Sequence, residues 1–329
     1  MHKVLIGLNT YNDLPFLRES LKPLEELRLN LPADLVLLDT AYNDEVRDYV
    51  QQNYPHFKYM RHKDGNIGYG RSYNEMLREN PEHDIFLVVT SDVLVDPALV
   101  KEFVERMRDD RTLTLVGGKV HHWDLKTMRK TNVLDSLGIG GQRRHHFYDR
   151  GHGEMDQGQY DDELEDFFGI SGAVFLLRTA AVPRLHGSAH EIFDERMWMY
   201  KEDIDLSYRL RWLGEGIKIF PEVWAWHGRT VANKEGNSVR GLSRADRTKR
   251  DYARLHSYKN HLLLLKNNFT WRYGVGTLAR VLVYEFLKGA YMLFRHPAVF
   301  FAGLKTLLFV PGKRSARAIS PKEMLSYFD

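Results

Sequence analysis

Short apolar runs alternate with helical patterns along the first 120 residues. Three runs are continuous and rich in branched apolar side chains, at 3–8, 34–40 and 84–92. Runs of this kind are typical of strands buried on both faces of a parallel sheet. Apolar residues recur at helical spacing between and after them, at 14–28, 44–54 and 70–80. The alternation predicts βαβ units.

The pattern changes after residue 120. Residues 138–158 are rich in Gly, Arg and His and predict a long loop, and we expect the His pairs at 121–122 and 145–146 to be solvated. Apolar runs then predict strands at 169–178 and 217–221. Between these runs, Ile204–Leu213 has a helical pattern that ends at Gly214.

Only helices are predicted beyond residue 240, at 250–268, 275–294 and 297–310. The middle one has the length of a membrane span, but Arg280, Glu285 and Lys288 interrupt it. A charge near the bilayer centre costs roughly 2.5–3.5 kcal/mol on insertion scales. We therefore expect this helix to lie in a membrane interface rather than cross the bilayer. The alternative is a helical subdomain that packs on the sheet and has solvated basic faces.

The composition is that of a globular protein, with 43% hydrophobic and 28% charged residues among 329. No cysteine occurs, which excludes disulfides, thiolate metal sites and a Cys nucleophile. The apolar run before Asn9 is too short for a signal peptide, so we expect a cytoplasmic protein. Residues 240–329 hold 17 Lys and Arg against 5 Asp and Glu, a net +12, and residues 1–239 therefore hold 30 against 39, a net −9.

Candidate chemistry lies where the predicted strands end, because ligands of open α/β sheets bind beyond the carboxyl ends of the strands. Asp39 and Asp92 follow two such strands, and His227 follows the last one. A single acid at a strand end is as often a turn or cap residue. GYGRSY (68–73) lacks the third glycine of a dinucleotide motif and does not follow the first strand, and no P-loop motif occurs.

Five acids crowd around aromatic residues in FDERMWMYKEDIDLSYRLRWLG (193–214). Glu202 and Asp203 fall at the start of the predicted helix, where its dipole favours negative charge by roughly 0.3–1 kcal/mol. Capping accounts for one acid but not for five, because like charges among rings raise one another's pKa. The arrangement favours a general base or a metal position.

These segments together resemble the GT-A glycosyltransferases of family 2, and within them the rhamnosyltransferase-like branch. The resemblance runs in order over residues 4–228. It is carried by VLIGLNTYND (4–13), VLLDTAYNDE (36–45), NIGYGRSYN (66–74), VVTSDVLVDP (88–97), LDSLGIG (134–140), FGISGAVFLLR (168–178) and the acidic segment, which is the most specific. It implies a GT-A α/β fold with a mostly parallel central sheet, a catalytic domain over 1–239 and a helical extension over 240–329.

The resemblance also implies a role for each matching residue. Nucleotide-binding residues would be Asn9, Thr10, Asp39, Gly68, Arg71 and Asn74. Asp92 and His227 would hold a divalent cation, Mg²⁺ or Mn²⁺, that bridges the diphosphate. Asp203 would be the general base, with Glu202 beside it. Ser171, Gly172 and Trp198 would lie at the sugar and acceptor end.

One departure concerns the metal motif, which is Asp-x-Asp in many relatives and Thr90-Ser91-Asp92 here. With a single acid, the diphosphate itself would supply most of the ligands, as Mg²⁺ prefers.

The activity implied is inverting transfer of a sugar from a nucleotide-diphospho-sugar to a saccharide or lipid-linked saccharide in surface polysaccharide synthesis. We expect a dTDP-sugar donor, with dTDP-rhamnose favoured and a UDP-sugar as the alternative. The basic C-terminal helices suggest peripheral contact with the cytoplasmic membrane face, since anionic lipids attract Lys and Arg at about 1 kcal/mol each. A homodimer contact is left open. We expect no nucleic-acid partner, because the basic residues are mixed into apolar helices.

Two other functions fit the same α/β pattern. A catalytically silent nucleotide-sugar or glycan-binding module would explain the incomplete acid motif, but not the retention of Glu202, Asp203 and His227. A nucleotidyltransferase would carry a Gly-rich basic loop after the first strand, which this sequence lacks.

Overall fold

Strands and helices alternate through the first third of the chain, as predicted. The computed structural model describes residues 3–161, 167–229 and 251–329. Its strands are β1 Val4–Thr10, β2 Ala33–Asp39, β3 Lys58–Arg61, β4 Ile85–Thr90, β5 Val93–Val95, β6 Leu113–Asp124, β7 Arg129–Ser136, β8 Ile139–Gly141, β9 Phe147–Asp149, β10 Val174–Arg178 and β11 Gly216–His227. Its α-helices are α1 Leu14–Asn30, α2 Glu45–Asn53, α3 Tyr69–Arg78, α4 Pro97–Asp109, α5 Val182–His186, α6 Glu202–Trp212, α7 Asp251–Asn268, α8 Val275–Arg295, α9 Pro297–Phe309 and α10 Pro321–Leu325.

Nine of these strands form one sheet, in the order β3-β2-β1-β4-β10-β6-β11-β5, with β7 paired to β6. β1 pairs in parallel with β2 and β4, whereas β10 is antiparallel to β4 and β6. The pairings put β1, β2, β3, β4, β6 and β11 in one direction and β5, β7 and β10 in the other. The predicted mostly parallel sheet is confirmed. The carboxyl ends of its parallel strands share one edge.

Helices cover both faces of the sheet. On one face, α1 and α4 bury Leu17, Leu21 and Phe103 against the strands. On the other face, α3 and α6 bury Tyr73 and Leu206. Because both faces are covered, the strands read as continuous apolar runs instead of alternating ones.

Residues 138–158 contain a two-stranded sheet, and the predicted long loop is wrong for this part. β8 and β9 pair antiparallel across a turn at His145, whose φ is +61°. The predicted solvation of the His pairs is also wrong, because His121, His145 and His146 are buried. His145 Nε2 lies 2.9 Å from the Tyr208 hydroxyl. Strands of three residues are too short to show a periodic pattern.

Two of the C-terminal helices, α7 and α10, pack into a buried core that they share with α6. Leu263 and Leu264 of α7 share a buried core with Tyr208 and Trp212 of α6, and Met324 of α10 joins it. The boundary predicted at 239/240 lies outside the described residues and stays a prediction.

α8 and α9 keep much of their apolar surface exposed. Large side chains of this kind include Leu282, Val283, Phe286, Phe294, Phe301, Leu308 and Phe309. A helix with the length and apolar content of a transmembrane segment does not occur among the residues that the structure describes.

Candidate active site

The carboxyl ends of the parallel strands bring distant sequence segments together. Thr10 at the end of β1 is in register with Asp39 at the end of β2, and Asn9 is in register with Thr90 of β4. His227 ends β11, which pairs with β5 just after Asp92. The predicted strand-end residues therefore share one edge of the sheet.

Asp92 and His227 are in contact at this edge. His227 Nε2 lies 3.4 Å from Asp92 Oδ2, and the Thr90 hydroxyl donates to Asp92 Oδ1 at 2.8 Å. Burial disfavours the charged form of Asp92, but His227 and the Thr90 hydroxyl outweigh it and lower the pKa of Asp92. Burial likewise disfavours the imidazolium, yet Asp92 and Asp135 raise the pKa of His227 to about 10.

His227 is the first residue in a buried series of ion pairs that the sequence analysis did not predict. Asp135 Oδ2 lies 2.8 Å from His227 Nδ1, and Asp135 Oδ1 accepts from Arg229 Nε at 2.6 Å. Arg229 Nη2 donates to Asp149 Oδ2 at 2.5 Å. Burial opposes ionisation of Asp135, but His227 and Arg229 more than offset it and lower its pKa. This series of ion pairs fixes the orientation of the imidazole ring.

The acidic segment is positioned by amides from two helices. Asn74 of α3 accepts from the backbone N–H groups of Ile192 and Phe193, at 2.9 and 3.1 Å, and donates to Phe193 O at 2.9 Å. Asn260 of α7 lies within 2.8 Å of three carbonyl oxygens, those of Met197, Met199 and Tyr200.

These hydrogen bonds support a stretch in which three residues other than glycine have left-handed backbone conformations. Trp198, Tyr200 and Lys201 have φ values of +61°, +69° and +73°. Residues other than glycine adopt such angles at a cost of roughly 1–2 kcal/mol each. The bend directs the start of α6, with Glu202 and Asp203, into a pocket.

Asp203 receives two backbone hydrogen bonds there. Gly172 N donates to its Oδ2 at 3.1 Å, and Ile204 N donates to its Oδ1 at 2.8 Å. Burial still raises the pKa of Asp203. Burial, and then the charge of Asp203, raise the pKa of Glu202 to about 8. The pair therefore combines a hydrogen-bonded carboxylate with a carboxyl that stays protonated near neutral pH.

The other three acids of the segment have structural contacts. Arg196 donates to Asp194 Oδ1 through Nε at 2.7 Å, and Arg209 donates to Asp205 Oδ2 through Nε at 2.7 Å. Glu195 lies 3.4 Å from an Arg78 nitrogen. Only Glu202 and Asp203 of the five line the pocket.

The pocket has a volume of about 330 Å³ and brings both halves of the predicted site together. Predicted residues that line it are Asp92, Ser171, Gly172, Glu202, Asp203 and His227. Further lining residues that the sequence did not suggest are Tyr69, Tyr148, Asp149, Tyr200, Lys201, Arg229 and Ser257. Trp198 is not among them, because its ring packs 4.8 Å from the His256 ring and fills the space that a side chain at Gly68 would need.

The predicted nucleotide-binding residues fall into two groups, and the first group lies at the ends of β1 and β2. Asn9 Oδ1 and Thr10 Oγ1 are buried and have no hydrogen-bond partner in the described part of the chain. Asp39 is fully buried and accepts from Tyr59 and Arg61 at 2.6 and 3.0 Å.

The three predicted residues of the 66–74 segment lie elsewhere. Gly68 starts α3 with a φ of +83°, and Arg71 is partly exposed beside Glu75. The amide of Asn74 is used by the acidic segment, so the structure does not bring it to the pocket.

A second carboxylate lies near Asp92. Asp13, which precedes α1, accepts from the Ser91 hydroxyl at 2.6 Å. Burial, and after it the charges of Asp92 and Asp39, raise the pKa of Asp13 despite that hydrogen bond. Sequence reasoning counted acids only within Thr90-Ser91-Asp92 and therefore missed it.

One compact group of three potential metal ligands occurs among the described residues, formed by Asp34, Glu82 and His83, and it includes neither Asp92 nor His227. It lies at the opposite end of the strands, since Asp34 is near the start of β2 and His83 precedes β4. Both His83 ring nitrogens already have partners, Asp34 Oδ2 at 2.8 Å and Asn80 O at 3.1 Å. This group is separate from the pocket.

A mixed sheet with helices on both faces and a polar pocket at the carboxyl ends of its strands is consistent with the GT-A fold of nucleotide-diphospho-sugar transferases. The sequence profile of glycosyl transferase family 2 matches residues 6–175, more than half of the chain. The chain belongs to this family of glycosyltransferases. A comparison with curated proteins gave no match.

Solved structures with a similar fold include S. aureus TarS, at a TM-score of 0.50 and 12% identity, over 91% of this chain and 45% of TarS. The chain thus spans less than half of that TarS chain. A TarS fragment covering 1–349 matches at 0.52 and 12%, over 94% of this chain and 81% of the fragment. The mannosyltransferase PcManGT from Pyrobaculum calidifontis, in complex with GDP-Man and Mn²⁺, matches at 0.49 and 15%, over 93% and 87%.

Proposed function

We propose that this glycosyltransferase inverts the anomeric centre of the sugar it transfers, with Asp203 as the general base. The observation that carries the proposal is that Asp203 and the Asp92–His227 pair line one pocket. Displacement at an anomeric carbon needs a charge-stabilised diphosphate leaving group and a nucleophile whose proton is removed. The pocket holds residues suited to each task, and no covalent nucleophile is required.

Asp203 is suited to proton transfer by its environment. Its two backbone hydrogen bonds fix the carboxylate, and its raised pKa makes it a stronger base than an exposed aspartate. Glu202, protonated near neutral pH, keeps a second negative charge away from Asp203. The acceptor hydroxyl would be deprotonated at an Asp203 oxygen and would then attack the sugar.

The residues at the strand ends fit a divalent cation. The Asp135–His227 contact leaves Nε2 directed at Asp92, which is how a carboxylate orients a metal-binding imidazole. Asp92, His227 and Asp13 would hold Mg²⁺ or Mn²⁺, with the diphosphate supplying further oxygens, and His227 would release its Nε2 proton when the cation binds. The cation would offset the charge that develops on the leaving diphosphate. Arg229 and Lys201 add positive charge to the pocket wall.

We propose dTDP-rhamnose as the donor, with a UDP-sugar as the alternative. The support is the resemblance to the rhamnosyltransferase-like branch over 4–228. Asn9, Thr10 and Asp39 would lie nearest to the nucleoside, and the exposed Tyr11 and Tyr42 offer rings for stacking beside them. A thermal-shift screen of dTDP-, UDP- and GDP-sugars, with and without Mn²⁺, identifies the base.

We propose a saccharide or lipid-linked saccharide acceptor in surface polysaccharide synthesis at the cytoplasmic membrane face. The exposed apolar residues of α8 and α9 are accompanied by Arg272, Arg280, Arg295 and Lys305, a combination that suits an anionic bilayer surface. Contact between two copies of the chain is the alternative use of this surface.

The experiment that tests the reaction is ¹H NMR of the product formed from the donor that the screen identifies. The one-bond C1–H1 coupling, which distinguishes the two anomers of rhamnose, is expected to show the configuration opposite to that of the donor linkage. Retention of configuration would contradict single displacement.

A catalytically silent binding module is the second candidate, because the motif at residues 90–92 contains one acid instead of two. Such a module would bind the donor without releasing nucleotide in the presence of any acceptor.

A further inference from the structure

The catalytic pocket and a separate apolar groove share one wall. Ser257 lines the pocket, and the next residue, Tyr258, lines the groove, together with Leu262 one turn further along α7. Consecutive Cα atoms are 3.8 Å apart, so the two cavities flank a single helix about 10 Å wide.

The groove has a volume of about 460 Å³ and runs between α7, α8 and α9. Gly289 and Ala290 of α8 and Leu304 of α9 form part of its surface, and Glu285 is its one charged lining residue. Along α8 the lining residues extend from Glu285 to Phe294, which corresponds to roughly 14 Å of helix. The lining is therefore long and, apart from Glu285, apolar.

The shared wall carries a carboxylate as well as two ammonium groups. His261 Nε2 pairs with Glu285 Oε1 at 2.6 Å, between the pocket face and the groove face of α7. Burial disfavours the charged form of Glu285, but the charges of His261 and Lys288 outweigh it and lower the pKa of Glu285. The charges of Lys288, beside the groove, and Lys201, in the pocket, both act on the buried His261 ring. Lys288 Nζ lies 5.8 Å from the centre of the Tyr258 ring. Lys201 and Lys288 could therefore both attract an anionic headgroup at this wall. The groove would then offer apolar surface on one side of the headgroup, and the pocket carboxylates would lie on the other.

We propose that the groove binds the hydrocarbon chain of a phosphate-linked lipid acceptor while the saccharide end occupies the catalytic pocket. This inference rests on the proposed glycosyl transfer and names its acceptor as a single-chain lipid phosphate. A bilayer surface would fit the exposed ridges of α8 and α9, whereas a groove closed on three sides by helices fits one chain.

The test is the affinity of the full chain for butyl, octyl and dodecyl phosphate, measured by isothermal titration calorimetry below the critical micelle concentrations. Each methylene buried in the groove should tighten binding roughly fourfold until the groove is filled. Ala290→Phe should remove at least a tenfold advantage of dodecyl over butyl phosphate, and Leu304→Gln, on the other side of the groove, should do the same. Phe309→Ser, an exposed residue outside the groove, should leave all three affinities unchanged. Thermal unfolding curves confirm that each variant is folded.

Affinity that does not depend on chain length, or that equals the affinity for inorganic phosphate, would overturn the inference. So would binding only to vesicles or micelles, which would assign the surface to a bilayer, or a dimer by light scattering that does not bind dodecyl phosphate. Chain-length dependence without binding of any nucleotide-sugar would leave the groove established and refute the proposed transfer. Donor binding without chain-length dependence would refute only the groove.

Discussion

Glu202 and Asp203 are adjacent in sequence, but their surroundings differ. Asp203 accepts two backbone hydrogen bonds, whereas Glu202 Oε2 is buried without a partner among the described residues. The difference explains why burial shifts Glu202 strongly toward its neutral form. Sequence pattern placed both at the start of a helix but could not separate their roles, because one donor to Asp203, the Gly172 N–H, lies 31 residues away in the chain.

Stability should fall with rising pH because of Glu202. Its pKa is raised in the folded state, so the folded protein holds the proton more tightly, and the stabilisation is complete below the ordinary pKa and lost as pH rises through about 8. The slope attributable to one proton is at most about 1.4 kcal/mol per pH unit. Glu202→Gln should flatten the pH dependence of the free energy of unfolding between pH 5 and 8, measured by urea denaturation. Glu105→Gln on the exposed face of α4 should keep the wild-type slope, and a Glu202→Gln profile identical to wild type would contradict the assignment.

Asp13 should strengthen cation binding. It brings a second carboxylate toward Asp92 by accepting from the Ser91 hydroxyl, 78 residues from Asp13 in sequence. Asp13→Asn should weaken Mn²⁺ binding in the presence of donor nucleotide by about tenfold, measured by electron paramagnetic resonance titration. The exposed Asp64→Asn serves as the control, and equal Mn²⁺ affinity in Asp13→Asn and wild type would refute the role.

Whether a helix or strand was predicted correctly depended on the length of the element and on the regularity of its apolar residues. β1, β2, β4 and the helices α1, α3, α7, α8 and α9 were predicted within a few residues, because each has a sustained apolar pattern. β6 was missed because it contains two glycines and the buried Lys119, whose partner Asp156 lies far along the chain. α4 was also missed, although Asp96 caps it and Pro97 starts it, as the sequence could have indicated.

Two of the missed site residues lie in missed strands. Asp135 lies in β7 and Asp149 ends β9, so the series of ion pairs behind His227 depends on pairings between strands that have no strong local pattern. Long-range pairing of this kind is set by tertiary packing.

Asn260 of α7 should be needed for catalysis, because its amide positions the acidic segment. Removing its amide takes the side-chain donor away from the Met199 and Tyr200 carbonyls and leaves Met197 O with the Met199 backbone N–H. This loosens the backbone on which the left-handed residues lie. Asn260→Ala should lower the free energy of unfolding by about 1–3 kcal/mol and reduce kcat more than donor affinity. Asn53→Ala on exposed α2 is the control for urea denaturation and steady-state kinetics. Unchanged kcat in a folded Asn260→Ala protein would show that the segment does not need α7.

At the scale of the whole molecule, the C-terminal residues combine two functions that sequence alone left as alternatives. α7 packs into the core beside the pocket, while α8 and α9 present apolar and basic side chains outward. Composition predicted that the C-terminal helices are basic and apolar. Which of these helices is buried depends on contacts with α6, and the spacing of apolar residues does not reveal those contacts.

The outward surface should bind anionic vesicles. Phe301, Leu308 and Phe309 are all more than half exposed on α9, and burying an apolar side chain of this size contributes roughly 1.5–3 kcal/mol. In flotation with phosphatidylglycerol vesicles, wild type should co-float at low salt and detach as salt rises. Replacing all three residues by Ser should abolish flotation, and Leu29→Ser, an equally exposed residue on α1, should not. Flotation of the triple variant at the wild-type level, or none by wild type, would rule out this surface.

We propose that Asp203 removes the acceptor proton in the same pocket where Asp92 and His227 would bind the donor. The most direct test of this proposal is the single-turnover transfer rate of Asp203→Asn, with donor affinity measured in parallel and the exposed Asp48→Asn as control. We predict a loss of at least about 100-fold in rate with donor affinity unchanged. A transfer rate equal to wild type would contradict the account.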